Sequence, residues 1–223
     1  MPRALFLIFS FIILLVFPIE RAQPKTNKVE ETRSRIKSVT CELIQSHFSD
    51  LMAETKTLTK RLRKKNSWCK DSEKTLAYDL EITSYVHPKN FINAFVWATL
   101  RKPQKRSYQL RFHPDRITEM DPEMPLLTAA LARELFRLQN YTQTKKRSFF
   151  GPMIFHVSDG MSEKSKKQLI SRERALDQKV VDLGLGKQLI AYRKWQSVIV
   201  PSEDWNTMTQ TQLSEQEILR SEP

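Results

Sequence analysis

The chain has 223 residues, 40% hydrophobic and 28% charged, enough for one domain with a real core, and its 37 basic against 25 acidic side chains give a net charge of +12. Only 4 glycines accompany 11 prolines, which argues against Gly-rich phosphate loops, collagen and tightly turned all-β folds. There is no GxSxG elbow, Walker A loop, GxGxxG turn, HExxH pair or CxxC, and His47, His87, His113 and His156 share no metal spacing. The expectation is a non-enzymatic protein with no metal and no cofactor.

In chain order, Met1 to Ala22 carries Arg3 and then runs from Ala4 to Phe17 with only Ser10 polar. The run is shorter than the roughly 20 residues of a membrane span, so it reads as the signal peptide of a secreted or endoplasmic reticulum lumenal protein. Retained, the same segment is a membrane anchor. Residues 23–70 form an amphipathic helical region, because Ile36, Val39, Leu43, Phe48, Leu51, Leu58 and Leu62 recur at three-and-four spacing. That stripe suits a helix or helix pair, and also a subunit that assembles through it. The region closes in Lys60 to Lys65, where positive charge suits a helix C-terminus. Cys41 and Cys69 are a candidate disulfide. One straight helix from Val29 to Lys65, at about 1.5 Å per residue, would leave Cys41 more than ~30 Å from its end, so a bridge requires a break, best placed near Ser49-Asp50.

Residues 71–200 read as an α+β domain. The period changes to two at Leu76, Tyr78, Leu80 and Ile82, then Phe91 to Leu100 is apolar on both faces, and Tyr108, Leu110 and Phe112 alternate with Ser107, Gln109 and Arg111. These predict a three-stranded antiparallel meander, with Phe91 to Leu100 in the middle and helices covering it. A helix follows with Leu127, Leu131, Leu135 and Leu138 inward, opened by Pro125. Phe149 to Val157 suggests a short strand. A charged helix from Ser162 to Leu183 turns Leu169, Leu176, Val180 and Leu183 inward and stops at Gly184. Trp195 to Val200 suggests a last strand. Asn140-Tyr141-Thr142 is a glycosylation sequon. Residues 201–223 hold five acids against one base, net −4, which leaves +16 on residues 1–200 and predicts a flexible acidic tail.

The stretch QLRFHPDRI, Gln109 to Ile117, carries the sharpest motif. Leu110 and Phe112, the bases Arg106 and Arg111, His113-Pro114-Asp115 and the helix after them resemble the end of helix II and the loop of a J domain. The resemblance implies a co-chaperone in which a positive helix docks on an acidic Hsp70 surface and His113, Pro114 and Asp115 make the specific contacts. Pro103 departs from it, since proline kinks a helix there, and Tyr108 to Phe112 alternates like a strand. The motif is also similar to the His-Pro-Asn after the meander of ubiquitin-conjugating enzymes, but no cysteine follows Cys69, which excludes that catalysis. Basic clusters at Lys60 to Lys65, Arg101 to Arg106, Lys145 to Arg147 and Lys164 to Lys167 point to an acidic protein or a polyanion such as a glycosaminoglycan. Nucleic acid is not expected, because no aromatic platform accompanies them. The residues expected to hold a partner are His113, Pro114, Asp115, Arg106, Arg111, Lys64, Lys65 and Lys105.

Overall fold

A computed structural model describes residues 24–85, 91–97, 102–120, 124–143 and 161–221. The signal-like segment, the suggested strand at 149–157 and the basic triplet at 145–147 lie outside them. Within them the chain is a mixed α+β fold of eight α-helices and two small sheets. No helix among the described residues is long and apolar enough to cross a membrane.

Helix α1 (Pro24–His47) buries Ile36, Val39, Leu43 and Ile44. It stops where Phe48 drops into the core and Ser49–Leu51 turns as a 3-10 helix, so Phe48 and Leu51 are buried without continuing the helix. Asp50 in that turn accepts from Gln139 Nε2 at 3.0 Å, and Phe48 meets Phe136 edge-on with ring centroids 4.7 Å apart. The break lets the chain reverse through β1 (Met52–Glu54) and the short helix α2 (Lys60–Lys65), and a disulfide joins Cys41 to Cys69. Strand β2 (Lys74–Leu76) pairs antiparallel with β1. Ile36, Val39, Leu43, Phe48 and Leu51 of the expected stripe are buried in the chain's own core, and Leu58 and Leu62 are half-buried.

The larger sheet corrects the predicted meander. Its order is β3 (Asp79–Ser84), β5 (Ser107–Phe112), β4 (Ile92–Trp97), with β3 parallel to β5 and β4 antiparallel to it. The last strand, not the most apolar one, is central. Neighbouring strands lie about 4.8 Å apart, so the seven residues between Ser84 and Ile92 are ample to step across the gap that β5 later fills. β4 is apolar on both faces because α4 (Met124–Gln143) packs on one of them, while Phe95 on the other lies under the Arg111 guanidinium.

Helix α3 (Pro114–Met120) follows β5 at once, and α4 buries Leu127, Leu131, Leu135 and Leu138. Helix α5 (Glu163–Asp182) starts on the Ser162 cap and ends before Gly184, whose φ of 75° is the left-handed geometry a helix stop requires. Two further expectations are corrected. Trp195 to Val200 is not a strand but the end of α6 (Gly186–Ile199), because Leu189, Tyr192, Arg193, Gln196 and Val200 face inward at helical spacing. The acidic tail is folded as far as Ser221: α7 (Ser202–Thr209) sets Trp205 and Met208 against the core, and α8 (Glu215–Ser221) returns along α5 and α6 with Ile218 buried. One hydrophobic cluster runs from Ile36 to Ile218, so residues 24–70 and the rest share a core.

Candidate binding surface

His113-Pro114-Asp115 is the start of α3. The His113 amide donates to Phe91 O at 2.8 Å, His113 O accepts from the Ile117 amide at 3.0 Å, and its Nδ1 lies 3.4 Å from the Arg116 amide. His113 thus caps the helix, Pro114 fills the first turn where its missing donor costs nothing, and Asp115 faces the positive end of the helix dipole. The residues before the tripeptide form a strand. The basic helical face implied by the J-domain resemblance does not exist at this position.

Nor do the expected partner residues converge. Arg106 is buried, donating from Nη1 to Tyr141 O at 2.9 Å. Arg111 lies on the outer face of β5, its guanidinium 3.9 Å from the Phe95 ring centroid and 4.8 Å from that of Tyr85. Partial burial draws its pKa down. Lys65 pairs with Asp79 at 2.6 Å, and Asp79 sits opposite Ser107 in the sheet, so Lys64, Lys65 and Lys105 share the end where β3 and β5 begin. The tripeptide is at the other end. Six residues of β5 separate the two groups, about 20 Å of strand. Asn140 lies in the last turn of α4, and the Thr142 hydroxyl of the sequon is tucked onto Gln139 O at 2.8 Å.

The most concentrated chemistry escaped the sequence reading. Arg133, Glu134 and Arg137 of α4 meet Glu173 of α5 and Arg193 of α6 around a cavity of about 60 Å³, and Asp177 of α5 joins them through Arg133 and Arg193. Arg133 donates from Nε to Asp177 at 2.7 Å and reaches Glu173 at 3.0 Å, while Arg137 pairs with both Glu134 and Glu173. Asp177 also accepts from the Leu213 amide at 2.9 Å, and Glu134 from the Ala94 amide at 2.7 Å. The warning sign was present: Glu173 and Asp177 fall among Leu169, Leu176 and Val180 on the inward stripe, a charge pattern that a purely solvated helix does not need.

Electrostatics decides what this cluster does. Burial works against ionisation of Glu173, but Arg137, Arg133 and Arg172 outweigh it and hold the carboxyl down at about 2. Burial likewise opposes charge on Arg133 and Arg137, and their carboxylate neighbours more than restore it. Burial pushes the Tyr141 and Tyr192 phenols well above their ordinary value. A general acid or base works with a pKa near the operating pH; every shift resolved in this cluster leaves its group further from such a value, except that of Arg193, which burial lowers. The ion pairs of the cluster tie α4, α5 and α6 together.

The exposed positive charge gathers elsewhere. Helix α2 has five bases among its six residues and no acid, and Lys60, Arg61, Arg63 and Lys64 are exposed. Thr59 caps its start, Asn66 at its end donates to Leu76 O and Tyr78 O at 3.0 and 2.7 Å, and Cys69 ties the following turn to α1. Comparisons find no matching family model, no matching curated protein and no matching solved structure.

Proposed function

We propose that this chain is a non-enzymatic binding protein, secreted or lumenal in the endoplasmic reticulum, that holds an acidic partner on its basic surface. The observation that carries the reading is α2, whose four exposed cations sit on a short segment pinned by a cap, a buried asparagine and a disulfide. Cations on a fixed frame lose little freedom on binding, so they attract polyanions more effectively than the same charges on a loose chain. The disulfide also suits an oxidising compartment, in line with the apolar leader at Ala4 to Phe17.

The test is retention on immobilised heparin and on polyglutamate across a salt series. Binding should weaken steeply as salt shortens the screening length from about 10 Å at 0.1 M to about 3 Å at 1 M. Reversal of the four exposed bases (K60E, R61E, R63E, K64E) should cost at least tenfold in affinity, and binding indifferent to both salt and reversal overturns the reading. The same protein is expected to leave the ATPase of an Hsp70 unchanged. Stimulation that disappears in His113→Gln would put a co-chaperone in its place.

A further inference from the structure

We propose that the outer edge of β3 takes an extended acidic peptide as an added strand, seated in the cleft between that edge, α1 and the turn after α2. The inference rests on the basic-surface reading and names the occupant it favours.

A three-stranded open sheet has two edges, and this one treats them differently. Each outer strand has a helix beside it, α4 on β4 and α1 on β3, but on β4 Glu134 also accepts the Ala94 amide. On β3, among the described residues, no strand pairs with the side away from β5 and residues 81–83 make no backbone–backbone hydrogen bond outside the sheet. That edge opens on a cleft of about 230 Å³ lined by the consecutive residues Leu80, Glu81, Ile82 and Thr83. Successive strand residues point to opposite faces, so a hollow over one face touches every second residue. Contact with four in a row means that the cleft follows the edge, where backbone donors and acceptors await a partner.

The other walls state the partner's chemistry. Arg33 and Lys37, one helical turn apart on α1, line one side, and Lys65 and Trp68 close the end. Arg33 is matched by Glu30 and Lys65 by Asp79, but Lys37 has no ion pair among the described residues, and neither have the four exposed bases of α2. The unbalanced charge beside the cleft is positive. Half-buried Trp68 offers an apolar seat for one side chain. Glu81 lies on the strand itself, and like charges placed directly opposite in a sheet repel. The favoured peptide is therefore extended and β-branched, with acids toward Lys37 and α2 and a neutral residue opposite Glu81.

The experiment uses the full, oxidised chain and four probes: a labelled peptide alternating valine or threonine with glutamate, the same peptide N-methylated at alternate amides, polyglutamate of equal charge, and a heparin oligosaccharide. Anisotropy should show the parent peptide binding and at least a tenfold loss on N-methylation, which leaves charge intact but removes strand donors. Bound peptide should slow amide exchange at 80–83, and Lys37→Glu, at a half-buried position lining the cleft, should weaken binding severalfold. Equal binding of parent and N-methylated peptides overturns strand addition; if α2 reversal still abolishes both, the basic-surface reading survives. Binding of heparin alone likewise overturns the peptide and keeps the surface. Failure of all four probes overturns both.

Discussion

Asp177 shows how far one side chain can matter. It is fully buried, accepts from Arg133 and the Leu213 amide, and pairs with Arg193 at 2.5 Å. Asp177→Asn keeps the shape but leaves two buried guanidinium groups short of charge, which should cost about 3–5 kcal/mol in urea unfolding. The exposed pair Lys56–Glu54, at 3.0 Å, is the control: Lys56→Ala should move stability by less than about 0.5 kcal/mol. Glu173 sets the pH response. Its folded pKa, about 2, is below the ordinary 4.5, so its stabilisation is complete above the unfolded value and disappears as pH falls through the folded one. Unfolding followed by circular dichroism should lose about 3 kcal/mol between roughly pH 5 and pH 2; Glu173→Gln should flatten that dependence.

At the scale of elements, the disulfide closes a loop of 28 residues, and the chain-entropy argument gives it about 3–4 kcal/mol. Cys41→Ser with Cys69→Ser should lose about that much, and amide exchange should quicken around β1, α2 and β2 before it does in α4. The elements most legible in the sequence were those whose signal is local. The leucines of α4, the helix beginning at Ser162, the Gly184 stop and the alternation of β5 all appear within one turn or one strand of themselves. Strand order was not legible, because the choice of β5 as the centre depends on how a later segment inserts between two earlier ones. The end of α6 was misread because six residues from Trp195 to Val200 are too short to separate a period of 3.6 from an apolar run. The candidate site was legible only in part: the bases of Lys60 to Lys65 are a local feature, whereas the role of His113 at the start of α3 and the edge of β3 exist only once the sheet is formed.

For the whole molecule, the return of α7 and α8 redistributes charge. Glu217 pairs with Arg174, and Glu215 with Lys194 at 2.8 Å, so acids from one end of the sequence neutralise bases on α5 and α6. The four exposed bases of α2 have no ion pair among the described residues. A chain cut after Val200 should regain heparin affinity at Arg174 and Lys194 while losing several kcal/mol of stability, because Arg193 and Asp177 then lack the carbonyl and amide of Leu213. Gradient elution and thermal unfolding of the same sample separate the two effects.

The bond from Leu213 to Asp177 also places the last support of the charge cluster late in the chain. Asp177 precedes by 36 residues the amide it accepts, whereas its ion partners Arg133 and Arg193 both come before Val200. A chain cut after Val200 therefore keeps those ion pairs and loses the two bonds made by Leu213. The segment after α6 is a clasp on a cluster that α4, α5 and α6 assemble among themselves.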